Sequence, residues 1–400
     1  MFFAPAYQTV LVLVVLLILT FILLLSYTFW TRIKKGYWHR YREKFRKSFS
    51  AKLFRFVEEA ESPSDADVLI KSLTKRTKDI SFFLELITEM SDLLRGDDHK
   101  KLDWLIDHSM FYKFYKKKLF AASKQKHMLA CIYFGSCGHI EEGVAARLTQ
   151  LSKSRNLKLA YGATKALQQT ENIEDRKIAL VRFMQRSDVS NLMIGELLHI
   201  FHRDEIELHL QTGEALKSIL LNEKIPAKIK QVVVHYFAHQ NYYEYGHFLL
   251  ECLNEIKLHT KNRPLIIGLI ESLGSLRVEE AGSLIQSYAL VDDIEIKKAC
   301  IDALNMLGGS VNLSYLHNMI MDFEFEVRKK IIEVLVQHPD EGHKLLQQFM
   351  HAHLKFIDNI SENGNPSEEM LQYIYKINAV TTGIRIMSSN TILNRKGSMI

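Results

Sequence analysis

The chain has 400 residues, of which 47% are apolar, with 6 prolines and 18 glycines. This composition excludes collagen-like and disordered classes, and the length exceeds what one compact core usually serves. The sequence therefore predicts either two or three domains or one repeat array that grows by stacking. Four widely spaced cysteines indicate a reducing compartment, because extracellular disulfide frameworks are denser.

The net charge of +6 is concentrated in one short segment. Between Arg32 and Lys47 there are eight basic residues and one acid, Glu43, which makes this segment +7 and leaves the rest of the chain at −1. A nucleic-acid-binding domain needs a basic face that neutralises several phosphates. Because the rest of the chain is nearly neutral, we do not expect nucleic acid as a partner.

The N-terminal segment has the composition of a transmembrane helix. Residues 2–31 contain no Asp, Glu, Lys or Arg, and residues 10–25 are apolar except for Thr20. A span needs about 20 apolar residues, so we predict a membrane helix near residues 8–30. Aromatic and basic side chains follow at its exit, as at a membrane interface. The predicted membrane-anchor and interface residues are Trp30, Arg32, Lys34, Lys35, Trp38, Arg40 and Arg42.

A cleaved secretory signal is the alternative interpretation of this segment. A signal has positive charges before a short apolar core and a small-residue cleavage site after it. Here the basic residues follow a long core, and residues 26–31 contain no such site. We therefore expect an uncleaved anchor. The positive-inside rule then places the short N-terminus outside and the bulk of the chain in the cytoplasm. The basic cluster either binds anionic lipid headgroups as well or serves only to fix this topology.

Residues 37–60 have a helical pattern with two interpretations. Tyr41, Phe45, Phe49 and Phe56 recur at near-helical spacing with Arg and Lys between them. A basic amphipathic helix of this kind is suited to lying on a membrane surface. It is equally suited to being the first helix of the folded body, with its aromatic side chains in the core.

The remaining chain is predicted as short helices of roughly 10–18 residues, without a convincing alternating strand pattern. Ser62 and its neighbours predict a helix cap before a helix that starts near Ala66. A polar loop is predicted at 361–369, a last helix from Ser367 to about Ile386, and a frayed end at 388–400. The predicted segments are 1–31 for the exterior N-terminus and membrane helix, 32–62 for a basic juxtamembrane helix, 63–360 for the helical array, and 361–400 for the C-terminal helix and tail.

A pattern recurs every 31 residues near the C-terminal end of the array. Stretches that begin at Leu265, Ile296 and Val327 each have an apolar first residue, usually a small residue three positions later, and a leucine eight positions later. Weaker copies occur near 126–184 and 226–240. Small residues at these places let neighbouring helices approach closely. A fixed period of this length predicts stacked helical units that bury their apolar faces on one another.

These residues resemble a known repeat family. The stretch from Asp293 to Gly308, DIEIKKACIDALNMLG, is similar to the HEAT consensus, and Asp322 to Arg328, DFEFEVR, has its acidic lead-in followed by Val-Arg. The period is like that of the short HEAT class seen in phycobilin lyases, deoxyhypusine hydroxylases and many bacterial scaffolds. The resemblance, clear over 265–340, implies an all-α fold in which an α-solenoid of HEAT-like hairpins follows the transmembrane helix. It implies little chemistry, because such arrays mostly bind proteins.

The residues that the known reactions of that family require are absent from this sequence. Deoxyhypusine hydroxylases bind iron through His-Glu dipeptides, and none of the 17 histidines precedes a glutamate. Pairs such as His235 and His239 supply two ligands where a metal site needs three or four. Cys131 and Cys137 are spaced more widely than zinc ligands usually are, so we expect buried helix cysteines. With no nucleotide-binding or hydrolase motif, we expect no catalytic residue, no metal and no cofactor.

One further stretch, 111–118, interleaves aromatic residues with four lysines. It is either a second contact for a membrane or acidic partner, or a helix with an aromatic core stripe and a solvated lysine face. We favour the second interpretation, since a lysine-rich helical face is common on protein surfaces.

The sequence favours a membrane-tethered scaffold that binds a protein partner at the cytoplasmic face. The predicted protein-binding residues are Lys297, Lys298, Arg328 and Lys329 on the repeat helices. A membrane enzyme, such as a glycosyltransferase of envelope or exopolysaccharide synthesis, is the partner considered. The alternative is an enzyme or cofactor lyase that uses the solenoid groove, which requires titratable groups that meet in a deep pocket.

An uncleaved anchor predicts the mass of the mature protein. Because no cleavage site follows the apolar core, we expect the protein from native membranes to retain residues 1–31, as measured by intact mass spectrometry. A mass lower than that of the full chain by the mass of about 30 N-terminal residues would instead identify a cleaved signal peptide.

Overall fold

The computed structural model describes residues 4–73, 76–91, 93–94, 96–202, 206–363, 375, 377–384 and 386. Within these ranges the chain is helical and contains no strand, as the sequence predicts. The residues divide into two compact units, 1–172 and 173–400.

Unit 1 contains eight α-helices among its described residues. They are α1 (Ala4–Glu59), α2 (Pro63–Lys71), α3 (Thr77–Ser91), α4 (Asp97–Ile106), α5 (Ser109–Leu119), α6 (Lys124–Phe134), α7 (Glu142–Ser152) and α8 (Leu157–Leu167).

The first helix is continuous over 56 residues. It includes both the predicted membrane segment and the pattern at 37–60, so the expected boundary between residues 31 and 32 lies inside one helix. No proline or glycine pair interrupts it, since Gly36 stands alone and a lone glycine is tolerated in a helix. At 1.5 Å per residue the helix is about 84 Å long, far more than one bilayer crossing requires.

The second half of α1 packs into the core of unit 1. It contacts α2, α3 and α4, and Phe45, Phe49, Leu53 and Phe56 are buried along one face. Phe49 meets Phe83 of α3 edge-on, with ring centroids 5.8 Å apart. Of the two interpretations of residues 37–60, the contacts therefore favour the first helix of the folded body, whose aromatic face is covered by protein.

The start of α2 differs from the prediction. The helix begins at Pro63, three residues before Ala66, with Ser62 at its N-cap. Proline suits the first helical position because its φ angle is already helical and its missing N–H needs no partner there. Asp65 Oδ2 accepts hydrogen bonds from the backbone N–H groups of Ser62 and Glu61, which lower the pKa of this carboxyl.

The remaining helices of unit 1 share an aromatic core. The rings of Tyr115 on α5 and Tyr133 on α6 stack with centroids 4.5 Å apart, and Tyr133 donates a hydrogen bond to the Ile106 carbonyl at 2.8 Å. A Cβ atom on Gly162 of α8 would lie 3.2 Å from Cβ of Cys131 on α6. The weaker repeat copy near 126–184 thus places a small residue where two helices pack closely.

Among its described residues, unit 2 has a helical stretch at residues 377–384 and, before it, eleven α-helices. They are α9 (Ile173–Met184), α10 (Asn191–Phe201), α11 (Ile206–Leu221), α12 (Ala227–His239), α13 (Gly246–Glu255), α14 (Arg263–Ser275), α15 (Gly282–Tyr288), α16 (Ile294–Leu307), α17 (Ser310–Asn318), α18 (Phe325–Gln337) and α19 (Glu341–Asn363).

Alternate helices of unit 2 form one layer. Helices α12, α14, α16 and α18 lie side by side, and the intervening helices pack against members of this layer. The three strong repeat copies fall on α14, α16 and α18. A Cβ atom on Gly274 of α14 would lie only 2.6 Å from Cα of Ala303 on α16. Gly274 is not the small position that the pattern predicts, which is Gly268 in this copy. A Cβ atom on Gly268 would lie 2.8 Å from the Gln231 side chain of α12, so small residues occur at close contacts between α14 and both neighbouring repeat helices.

Two ion pairs join consecutive repeats of this layer. The Arg263 guanidinium donates to both carboxylate oxygens of Asp293, at 2.5 and 2.8 Å, and Asp293 also caps α16 by accepting from its backbone N–H groups. This pairing with Arg263 lowers the pKa of the Asp293 carboxyl. Lys330 of α18 occupies the position that is small in the other copies, and its ammonium instead reaches Asp302 of α16 at 2.8 Å.

The C-terminal prediction is correct in part. Helix α19 continues to Asn363, so the polar loop expected at 361 does not begin there, because no helix-breaking residue precedes Gly364. Residues 377–384 are helical, as predicted, and bury Ile377, Val380 and Ile384. The predicted frayed end at 388–400 and most of the predicted loop lie outside the described residues.

The contact at Gly274 predicts an unusual response to alanine. Gly→Ala in a helix normally stabilises by about 0.5–1 kcal/mol, but overpacking costs about 1–3 kcal/mol. We expect Gly274→Ala to increase amide hydrogen exchange in α14 and α16, measured by mass spectrometry on the full-length protein. Gly195→Ala in α10, where nothing lies within 4 Å of the new Cβ atom, is the control and should slow local exchange. Equal slowing in both variants would contradict close packing at Gly274.

Candidate functional site

The first half of α1 presents an apolar surface that no other described residue covers. Every large apolar side chain from Val12 to Leu25 is more than half exposed. Burying each one elsewhere would contribute about 1.5–3 kcal/mol, so leaving them all in water is strongly unfavourable. Among the described residues, α1 is the one helix that is long and apolar enough to cross a membrane. A signal sequence has the same properties, so the span itself stays a prediction.

Three threonine hydroxyls in this half of α1 are satisfied within the helix. The hydroxyls of Thr20, Thr28 and Thr31 each donate to the carbonyl three residues earlier, at 2.8 Å. Hydrocarbon offers no hydrogen-bond partners, so internal pairing of this kind is required there. The helix can therefore enter a bilayer without an unpaired hydroxyl at these positions.

The structure divides the basic segment into paired and unpaired residues. Arg42 pairs with Glu85 of α3, and Arg46 pairs with Glu89 at 2.7 Å. In contrast, the basic residues nearer the apolar half form no ion pair with the described residues. These unpaired residues are Arg32, Lys34, Lys35 and Arg40. Arg42, expected at the membrane interface, is thus turned toward α3 instead.

Trp38 lies where α1 meets the first turn of α3. Its ring touches Tyr41 edge-on at 5.7 Å, and the Lys78 ammonium lies over its face. Tyr41 in turn donates a hydrogen bond to Asp79 Oδ1 at 2.7 Å, which, with burial, raises the pKa of Tyr41. Desolvation and the nearby charge of Lys34 both lower the pKa of Lys78. Trp38 therefore lies against a lysine of α3, one helical turn after Lys34 of α1.

Unit 2 contains an open groove of about 870 Å³. It lies among the end of α11, the start of α12, the end of α13 and the start of α14. The α13–α14 connection, which has extended backbone at Ile256 and His259, forms one wall of the groove. We call this cavity the lysine groove, after the four lysines that line it, which are Lys228, Lys230, Lys257 and Lys261.

The charges of the lysine groove are not balanced. Two acids, Glu223 and Glu255, also line it, and none of the four lysines forms an ion pair with the described residues. Burial lowers the pKa of Lys230, which shows that its ammonium is partly removed from water. The floor is apolar and includes Ile225, Val234 and Leu269. The groove therefore combines an apolar base with uncompensated positive charge at its walls.

The predicted protein-binding residues have different surroundings. Lys297 is only 9% exposed, and its ammonium pairs with Asp322 at 2.7 Å, so the expectation that it faces a partner is corrected. Arg328 donates to the carbonyls of Asp322 and Phe323, both at 2.7 Å, and fixes the loop before α18. Lys298 is near Glu295 on its own helix.

Arg328 and Lys329 line a second, smaller cleft. Its volume is about 220 Å³, and it lies between α18 and residues 379–386. Its apolar walls include Phe325 and Ile332. The packing of residues 377–384 on α18 therefore leaves these two basic residues beside an apolar opening rather than on an open helix face.

The other sequence candidates are structural contacts. His235 pairs with Glu271 of the next repeat helix at 2.9 Å. Cys131 and Cys137 are buried, and burial raises the pKa of each thiol to about 12. Lys118 is also buried, over the rings of Phe114 and Tyr115, so the lysine face of α5 is not solvated throughout. The described residues contain no group of three or more His, Cys, Asp or Glu arranged to hold a metal.

Sequence reasoning missed the lysine groove. Its lysines come in two pairs, at 228 and 230 and at 257 and 261, which lie on different helical hairpins. Each pair alone looks like ordinary solvated charge. The signal becomes visible only when α12 and the α13–α14 connection are known to lie across from one another.

Comparisons with known proteins add little to this picture. No protein-family model and no curated protein matches the chain. An engineered protein from a structural genomics consortium is similar at 11% identity, over 83% of this chain and 98% of that one, with a TM-score of 0.34. Importin beta, crystallised in an ammonium sulfate condition, is similar at 11% identity, over 87% of this chain and 57% of that one, with a TM-score of 0.36. TM-scores this low do not establish a common fold.

The lysine groove contains a thiol that predicts selective labelling. Cys252 lines the groove and is partly exposed, whereas Cys131, Cys137 and Cys300 are buried. Burial raises the pKa of the Cys252 thiol to about 11, so the reactive thiolate increases about tenfold per pH unit below that value. We expect N-ethylmaleimide to add once to the folded protein, with this pH dependence, and not at all to Cys252→Ser. Intact mass spectrometry measures this, and modification of several thiols would contradict the assigned burial.

Proposed function

We propose that this chain is a membrane-tethered scaffold. The first half of α1 crosses the membrane with the N-terminus outside, and both helical units lie in the cytoplasm. The lysine groove of unit 2 binds an acidic segment of a protein partner. The observation that carries this proposal is that one unbroken helix has an uncovered apolar half and a half that packs into the core of unit 1.

The tether is supported by the distribution of apolar and charged residues along α1. The uncovered apolar side chains end near Trp30, and basic residues begin at Arg32. Cytoplasmic flanks of membrane helices carry an excess of Lys and Arg. Confinement to the membrane surface raises the effective concentration of the scaffold toward membrane partners.

The protein-binding activity is supported by the lysine groove. Unpaired lysines at its rim attract a partner of opposite charge, and this attraction favours rapid and selective association. The apolar floor and the exposed Leu221 at the edge supply area for an apolar anchor residue. The proposed occupant is therefore a protein segment with acidic residues around an apolar anchor. Arg328 and Lys329, beside the smaller cleft, are proposed as a second contact.

The proposed class of partner is a membrane enzyme, such as a glycosyltransferase of envelope or exopolysaccharide synthesis. The alternative of an enzyme or lyase requires a nucleophile with a matched base. In the lysine groove no histidine is among the lining residues, and the high pKa of Cys252 disfavours the thiolate. No specific contact among the described residues favours that alternative.

The proposal predicts that the lysine groove is occupied in native membranes. We expect maleimide to label Cys252 more slowly in native membranes than in the protein purified in mild detergent. A Lys228→Gln/Lys257→Gln/Lys261→Gln variant should lose this protection, because the three lysines attract the acidic partner. For each variant, the rate of Cys252 labelling in membranes is divided by the labelling rate of the same variant after purification. This ratio removes any direct effect of the lysines on the reactivity of the thiol.

The matched control is Lys113→Gln/Lys117→Gln/Lys158→Gln, which changes the same charge at exposed positions of unit 1. This variant should keep the protection. Deletion of residues 1–31 should abolish it and release the protein from carbonate-washed membranes. Crosslinking of wild type followed by mass spectrometry then identifies the protein at the groove. Equal labelling in membranes and in purified protein would refute occupation of the groove.

A further inference from the structure

The basic surface beside the membrane includes a residue that is distant in sequence. Lys34 lies one turn before Trp38 on the same face of α1, and Lys78 comes from α3, 44 positions later in the sequence than Lys34. Trp38 lies between these elements, with the Lys78 ammonium over its ring. The fold thus brings two like charges together beside an aromatic ring, without a described carboxylate to compensate either one.

Along α1, Lys34 lies at the level of the interfacial layer of the proposed tether, and Trp38 lies one turn beyond that level. At 1.5 Å per residue, Lys34 lies about 6 Å and Trp38 about 12 Å beyond Trp30. The interfacial layer on each side of the hydrocarbon is roughly 5–8 Å thick, and lysine side chains extend back toward it. Arg42 and Arg46 lie one and two turns farther along the helix than Trp38, where they pair with the glutamates of α3.

We propose that Lys34, Trp38 and Lys78 form a binding site for the phosphate headgroup of an anionic phospholipid. The inference rests on the membrane tether proposed above and specifies its contact with the lipid surface. A phosphate placed between the two ammonium groups relieves their mutual repulsion. Trp38 contributes the amphipathic ring that such interfaces favour. Helix α3 then touches the membrane surface as well as α1, which fixes the orientation of unit 1 about the axis of α1.

This site differs from a general attraction of the whole basic segment. In a general attraction, every Lys and Arg from Arg32 to Lys47 contributes equally. At the proposed site, Lys78 contributes although it lies outside that segment. Arg42 contributes little although it lies within it, because its guanidinium pairs with Glu85. The two hypotheses therefore predict opposite orders for the contributions of Lys78 and Arg42 to anionic lipid binding.

The test uses the full-length protein in vesicles of phosphatidylcholine with a minor fraction of phosphatidylglycerol. The protein is extracted in mild detergent, and the retained phosphatidylglycerol is quantified relative to phosphatidylcholine by native mass spectrometry. Near a membrane surface each basic residue contributes to anionic lipid binding. We therefore expect Lys34→Gln and Lys78→Gln each to reduce the retained ratio by about fivefold. Arg42→Gln and Lys117→Gln should leave it unchanged.

Two results would overturn the site. The first is that Lys78→Gln retains as much phosphatidylglycerol, relative to phosphatidylcholine, as Lys117→Gln does. The second is that Arg42→Gln loses as much of the retained phosphatidylglycerol as Lys34→Gln does. Soluble glycerol phosphate added during extraction should not displace the lipid; if it does, the site binds a free phosphate rather than a membrane headgroup. Resistance of every variant to carbonate extraction is scored separately, so failure of the tether itself is distinguished from failure of this site.

Discussion

The structure depends on one constraint, which is that the two halves of α1 lie in different environments. Its first half has no protein neighbour among the described residues, whereas its second half provides buried aromatic side chains to unit 1. Because the helix is unbroken, nothing flexible separates these halves. A helix is stiff over this distance, so the position of unit 1 follows from the position of the apolar half. In the proposed tether, unit 1 is therefore held at the membrane surface rather than suspended on a linker.

The same helix also turns two of its basic residues toward α3. Arg42 and Arg46, farther from the apolar half, face the glutamates of α3. Exposed pairs of this kind contribute little to stability, about 0–1 kcal/mol each. Their main consequence is that they are no longer available to a phospholipid. Charges nearer the apolar half have no protein partner, and this difference produces a defined surface from what is a uniform basic run in the sequence.

Unit 2 depends on close approach between successive repeat helices. Gly274 packs on the backbone of Ala303, and Arg263 pairs with the capping carboxylate of Asp293. These contacts fix the spacing of α14 and α16. The connection between α13 and α14, which is extended at Ile256, lines one side of the lysine groove. The regular repeats thus provide a rigid frame, and one irregular connection provides the cavity proposed to bind a partner.

The sequence by itself determined the local features. The apolar run at 10–25, the all-helical class and the 31-residue pattern follow from composition and periodicity, which act within one helix or between adjacent repeats. Tertiary structure alone decided which charges remain unpaired. Lys297 is paired internally with Asp322, Lys78 lies over the ring of Trp38, and Lys230 faces the groove with Lys257. The physical reason is that the surroundings of a charge depend on contacts between segments far apart in the chain, and periodicity carries no information about those contacts.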